Sequence, residues 1–231
     1  MIVAIHQPQY LPWLGYFGKM LQADIFCYLD TVQYKKNEWQ NRNRIKTAQG
    51  WQWLTVPVTY RYPRKIGEVG IDNTTDWARK HLRALQTNYR RAPFFESHFP
   101  AIEAVLSRRW ETISTLNLSL IDCIRGMLGI DRKPAVCASA INASTEPTER
   151  LIDICRSLGA DTYLAGAGAN AYMDAARFER SGLRLRVQAF EHPVYPQRFN
   201  GFTPQLSIVD LIFNCGPESA EVIQAANWRM E

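Results

Sequence analysis

Cysteine is scarce and scattered. Five residues, at positions 27, 123, 137, 155 and 215, include no pair at the close spacing of a zinc or redox motif. Their odd number argues against a complete disulfide framework. There are only four histidines, none at metal-ligand spacing, so no metal is expected. No apolar run is long enough to cross a bilayer. The N-terminus lacks the basic, apolar and cleavage regions of a secretory signal. These absences predict no membrane insertion and a cytoplasmic, reducing environment. Repeats, low-complexity tracts and a clear interdomain linker are also missing.

Hydrophobic residues make up 46% of the 231, enough for a sizeable core. Seven Trp and ten Tyr supply rings with polar handles, which suit binding surfaces as well as cores. Lys plus Arg number 27 against 22 Asp plus Glu, a net +5. That excess admits an anionic ligand without demanding nucleic acid. The expectation is one α/β domain over 1–231. It should have a mixed or mainly parallel central sheet, with a largely helical insertion or outer layer at about 75–130.

Two short apolar runs, 2–5 and 25–29, read as buried strands around a helix at 13–21, a βαβ opening. Gly15 and Gly18 weaken that helix by roughly 1 kcal/mol each, or admit the close approach of a strand or ligand. A hairpin is expected around Gly50, with Pro57 at an edge or bulge. Helices are expected at 75–89, at 93–106 with a division or kink at Pro100, and at 112–128 with Gly129 after its end. Residues 136–141 read as a strand. Ser144 or Thr148 is the expected cap of a helix at 149–158, with Gly159 as its stop. Strands follow at 162–165 and 183–190, then an apolar helix or strand at 206–213 and a surface helix at 217–226.

Both opening strands empty into polar and aromatic residues. In an open parallel sheet, ligands bind outside the carboxyl ends of strands. His6 and Asp30 therefore become the catalytic candidates. His6 would accept a proton, and Asp30 would orient it or hold a substrate amine. Gln7 and Tyr10 follow His6. Gln33, Lys35, Lys36, Trp39, Asn41, Arg42, Asn43 and Arg44 follow Asp30. They offer amides, a stacking ring and cations for a carboxylate or phosphate. A solvated basic face is the plainer reading of the same stretch. The aromatic and basic mixture also suits single-stranded nucleic acid, but the small net charge and the lack of a recognised module speak against nucleic-acid binding. His192, Tyr195 and Gln197, bracketed by Pro193 and Pro196, form a candidate second wall.

The turn at Gly166, Gly168 and Asn170 follows a strand and is small enough for a phosphate or pantetheine to approach. It meets the looser dinucleotide spacing only weakly and lacks a phosphate-loop Lys-Ser/Thr. Cys27, Cys137 and Cys155 read as inert core thiols.

The block His6-Gln7-Pro8-Gln9-Tyr10-Leu11-Pro12-Trp13-Leu14-Gly15 resembles the WbqC-like protein family. So do Asp30 to Lys36, Asn41 to Arg44, Leu54 to Val58, Tyr163 to Gly166, His192 to Gln197 and Phe202 to Asn214. The resemblance spans nearly the whole chain. It implies a bacterial protein from gene neighbourhoods for surface polysaccharide or O-antigen synthesis. The expected activity is acyl or aminoacyl transfer to an amino sugar or sugar nucleotide. An acyl-CoA or an acyl carrier protein would serve as donor. The opening also loosely resembles nucleotidyl-transfer folds, without their His-x-Gly-His signature, so a nucleotidyltransferase is one alternative. A noncatalytic carbohydrate or nucleotide-sugar binding protein is another. A homodimer through terminal apolar segments is compatible with either.

Overall fold

The computed structural model describes residues 1–166 and 173–226. A five-stranded, all-parallel sheet lies at its centre. Its spatial order is β7 (Ala135–Cys137), β2 (Ile25–Tyr28), β1 (Ile2–His6), β8 (Thr162–Ala165) and β9 (Arg184–Val187). The chain begins in the middle and builds outward through β2 to β7. It then returns past its start to add β8 and β9. The winding direction therefore reverses between β1 and β8. This is the parallel α/β sheet expected from the opening βαβ pattern.

Alternation along β1 sorts side chains between two apolar layers. Val3 and Ile5 pack with Ile152 and Cys155 of α5 (Pro147–Ser157) and Phe178 of α6 (Ala175–Arg180). Ala4 packs in the other layer with Phe17 and Met20 of α1 (Leu14–Gln22), Phe26 and Leu164. His6 follows the parity of Ala4, and its ring meets Tyr16 of α1 edge-on at 4.8 Å. Each fully buried Phe or Leu in these layers contributes roughly 1.5–3 kcal/mol.

Between β2 and β7 lies a long insertion. It contains the antiparallel pair β3 (Arg42–Thr47) and β4 (Gly50–Thr55), with Gly50 in the turn at φ +123°, and the short pair β5 (Val58–Thr59) and β6 (Gly70–Ile71). Helices α2 (Trp77–Tyr89), α3 (Phe95–Leu106) and α4 (Ile113–Met127) follow. They occupy the segment expected to be helical. Thr112 caps α4 by accepting from the Thr115 N–H at 3.3 Å. Near the C-terminus, α7 (Ile208–Cys215) and α8 (Ser219–Ala225) pack against α3 and α1 respectively.

Three local expectations are corrected. Pro100 does not divide α3, which runs through it. It sits in the second turn, where its missing N–H costs a single intrahelical bond. The cap of α5 is Glu146, whose Oε2 accepts from the Glu149 N–H at 2.7 Å. Pro147 suits the first helical position, which leaves Ser144 outside and Thr148 inside. The strand expected over 136–141 stops at Cys137, because Ser139 is drawn to Asp30 by two hydrogen bonds.

Candidate functional site

The reversal between β1 and β8 opens a cleft of about 800 Å³ at the carboxyl ends of the strands. Ligands bind at this position in doubly wound sheets, and the volume suits a small molecule. The end of β1 supplies His6 and Gln7, and α1 supplies Gly15, Tyr16 and Lys19. Pro147, Arg150 and Leu151 of α5 form another side, with Gly166, Gln188 and Phe190 beyond the ends of β8 and β9. The cations are Lys19, Lys35 and Arg150, and no carboxylate lines the cleft among the described residues.

The loop after β1 is held by backbone-directed amides. Pro8 and Pro12 remove two donors. Leu11 adopts φ +42°, which a branched side chain rarely accepts. The Asn43 amide secures it by donating to Leu11 O at 2.7 Å. Asn117 donates to Pro8 O at 3.2 Å and to Gln40 O at 2.8 Å. The Gln40 side chain donates to Gln7 Oε1 at 2.6 Å and accepts from the Lys35 N–H at 2.9 Å. Gln7 thus faces the cleft in a fixed orientation.

His6 Nδ1 lies 3.2 Å from Gln7 O. Burial first, and Lys19 nearby second, push its pKa down to about 3. The ring is neutral at physiological pH and a weak proton acceptor. Lys19 is 2% exposed, and its Nζ donates to Ile5 O at 2.7 Å. No carboxylate among the described residues pairs with it. Burial pushes its pKa down to about 7. Two polar atoms of residues that line the cleft lack a hydrogen-bond partner among the described residues: the Gln9 Oε1 and the Tyr16 hydroxyl. Both residues are buried, Gln9 at 8% and Tyr16 at 1% exposure, and the Tyr16 hydroxyl lies among Tyr28, Cys137 and Arg125 rather than beside Lys19.

The predicted site residues divide. His6, Gln7, Lys35, Trp39 and Gly166 meet at the cleft. Asp30 does not orient His6. It is buried, and its two carboxylate oxygens accept from Ser139 N–H at 2.9 Å and Ser139 O–H at 2.7 Å. Tyr10 is buried against His81, with its hydroxyl 2.8 Å from Nδ1. Asn41 donates to Val56 O at 2.9 Å, and Asn43 serves Leu11. Gln33 and Lys36 are exposed and lie outside the cleft lining. His192 sits between the Pro193 carbonyl at 2.9 Å and the Gln205 N–H at 3.0 Å, which places its proton on Nδ1. Tyr195 donates to Asp210 at 2.9 Å, and Gln197 accepts from Lys46 at 3.0 Å. These two belong to an internal network, because long polar side chains in a Pro-restricted segment here face the core. Gly168 and Asn170 lie outside the described residues.

Beside the cleft, a second hollow of about 340 Å³ is lined by Trp39, Arg42, Arg44 and Trp53 among others. Arg42 lies 4.2 Å over the Trp53 ring, and Arg44 lies 5.0 Å over Trp51. Strand alternation puts Arg42, Arg44, Trp51 and Trp53 on one face of the β3–β4 pair. Trp39 lines both hollows and joins them.

Residues 7–222 match the WbqC-like protein family. The chain belongs to that family. It is also similar to "Uncharacterized protein Rv1507c" of Mycobacterium tuberculosis (strain ATCC 25618 / H37Rv), 40% identical over 228 residues that cover 96% of this chain and 97% of that protein. In this WbqC-like chain no described helix is long and apolar enough to cross a membrane.

Sequence reasoning misses Lys19, Gln9 and Tyr16. A usable signal exists for Lys19. The helix Leu14-Gly15-Tyr16-Phe17-Gly18-Lys19-Met20 is apolar on nearly every side, and such a helix is buried all round. A lysine inside it must be buried too. Gly15 and Gly18 reinforce the point. A Cβ on Gly15 would fall 2.3 Å from the Trp13 ring, and one on Gly18 would fall 3.0 Å from Phe190. Side chains of the WbqC-like core, rather than a strand, make the close approach.

Proposed function

We propose that this chain is a cytoplasmic transferase that moves an acyl or aminoacyl group onto the amine of an amino sugar or sugar nucleotide. Its products would enter surface polysaccharide (O-antigen) synthesis ahead of export. The donor would be an acyl-CoA or an acyl group on an acyl carrier protein. One observation carries the reading: the cleft at the sheet reversal is cationic, free of carboxylates among the described residues, and walled by an amine that can be neutral near pH 7. The family resemblance supplies the pathway.

An acceptor amine arrives as an ammonium and must lose a proton before its nitrogen can attack. His6, held near 3, is poorly matched to that task, whereas Lys19, near 7, is well matched. Lys19 therefore takes the proton in this scheme. The nitrogen attacks the donor carbonyl carbon, the C–N bond forms, the attacking nitrogen sheds its second proton to solvent, and the thioester C–S bond breaks. The proton on Lys19 passes to the departing thiolate. The Lys19 ammonium and the N-terminal N–H groups of α1 can stabilise the oxyanion between these steps.

A mass-spectrometric screen of purified protein against amino sugars, sugar nucleotides and activated acyl donors tests this. The expected product gains an acyl mass, and Lys19→Met lowers kcat by roughly 10²–10⁴-fold. The absence of acyl product across a broad donor set, from folded protein, would reject the reading. Nucleotidyl transfer is the second reading, favoured by a His at the end of the first strand beside the sheet reversal. It would instead add a nucleotide mass and release pyrophosphate.

A further inference from the structure

We infer that Lys19 is the phosphate receptor of the cleft, and that a phosphoryl group entering it binds together with a proton taken up by the Lys19 amine. The inference takes from the proposed function only that the substrate bears phosphate.

The geometry gives Lys19 one backbone acceptor, Ile5 O, and leaves its other N–H bonds unspent. The titratable groups that face it are His6 on β1 and Cys155 on α5. Neither is negative near pH 7. His6 is neutral, and burial pushes the Cys155 thiol up to about 12. The remaining cleft charges, Lys35 and Arg150, are positive. A buried ammonium without a counter-ion is costly, so the empty cleft favours the neutral amine. A phosphoryl dianion supplies the missing counter-ion, and the amine then regains its proton. In the catalytic scheme that proton comes from the acceptor ammonium. With an anion alone it comes from the buffer.

The donor set favours phosphate over a carboxylate. Lys19, Lys35 and Arg150 line one cleft with the N-terminal turn of α1, whose first residues have no side-chain cap. That is more donors than two carboxylate oxygens accept, and it suits a tetrahedral group with three.

Isothermal titration calorimetry with inorganic sulfate tests the coupling. Sulfate mimics the phosphoryl dianion and does not itself titrate near neutrality. In buffers of different ionisation enthalpy, binding at about pH 8.5 should take up close to one proton, falling toward zero at about pH 6. Lys19→Met should weaken sulfate at least tenfold and abolish the uptake. Lys19→Arg, which stays charged, should bind without uptake. The ¹⁵N resonance of the Lys19 amine in wild-type protein should move from neutral to charged as sulfate is added at pH 8.5, whether or not the variants fold. Uridine diphosphate and phosphopantetheine then distinguish an acceptor phosphate from a donor phosphate as the natural occupant. The one that competes with sulfate and shows the same uptake is the source. No saturable sulfate binding, binding without proton uptake, or full affinity in folded Lys19→Met would overturn the inference. Proton uptake without any acyl product would leave Lys19 as receptor and remove only the transferase reading. Acyl product without uptake would do the reverse.

Discussion

Two lysines are buried among the described residues, and their surroundings differ sharply. Lys46 on β3 is 1% exposed. Its amine donates to Gln197 Oε1 at 3.0 Å and to Gly201 O, with Asp210 nearby. Asp210, fully buried, accepts from Tyr89 O–H at 2.8 Å and Tyr195 O–H at 2.9 Å. Lys19 is buried to the same degree but has a single backbone carbonyl and faces a cleft. Burial lowers both pKa values, and Asp210 opposes the effect at Lys46 alone. A polar network whose members satisfy one another fixes structure. A buried amine left one charge short is poised for a partner from outside.

Breaking the Lys46 side should have the largest effect. Asp210→Ala strands the Lys46 ammonium and leaves the Tyr89 and Tyr195 hydroxyls without their acceptor. Removing one partner of a buried pair costs about 3–5 kcal/mol, and urea unfolding should register that loss. A change under about 1 kcal/mol would mean that the network is not structural. The pH dependence has a defined sign. Burial raises the Asp210 carboxyl to about 6, against bonds from Tyr89 and Tyr195 that pull it down. Its contribution to stability is full below about 4 and is lost as pH rises through 6.

Asp30→Ala comes next. The Ser139 N–H and O–H lose a charged acceptor, for about 2–3 kcal/mol. Sulfate affinity and the His6 titration should stay as in wild type, because Asp30 does not bond to His6. A shifted His6 titration would restore the catalytic role that the sequence suggested for Asp30.

Much of the frame is legible from residue pattern alone. Short apolar runs at 2–5, 25–29 and 162–165 are strands because little else buries such runs, and ligand sites follow strand ends. His6, Gln7, Lys35, Trp39 and Gly166 reach the cleft for that reason. Asn41 and Asn43 mislead because an amide bonds a ligand and a strained backbone equally well. Only the left-handed turn at Leu11 shows which of these Asn43 does. Tyr195 and Gln197 mislead in the same way, since the network that holds them runs through Asp210 to Tyr89 and Lys46, which lie far away in sequence. Lys19 is hidden by its type, because lysine is normally read as a surface residue.

A pH series on ligand-free protein isolates Lys19. Its pKa falls from 10.5 unfolded to about 7 folded, so the unfolded chain binds more protons above pH 7. The stability of wild type minus that of Lys19→Met should therefore rise with pH, by about 1 kcal/mol per unit between 7 and 8.5. The histidines, whose pKa values burial lowers, and the cysteine thiols, which burial raises, also titrate differently in the folded and unfolded chains, and the subtraction removes them. The rise should vanish with saturating sulfate, which restores the charge. A flat difference in that window would place the amine's pKa outside it.

The smallest expected effect is also the most telling. Lys19→Met at pH 7.5 should change stability by no more than about 1 kcal/mol. The substitution leaves Ile5 O without its donor, at a cost of about 1–3 kcal/mol. It also replaces an amine that pays desolvation without a counter-ion by a side chain suited to the surrounding apolar groups, a gain of similar size. The same substitution at Lys46 has no such offset, because it leaves Asp210 buried without the cation that faces it, removes the amine from Gly201 O, and leaves Gln197 Oε1 with the Thr203 N–H alone. The two variants, unfolded in urea side by side, should differ by about 2 kcal/mol or more. Equal losses would show Lys19 to be as structural as Lys46, and the open amine in the cleft would then have no claim to a ligand.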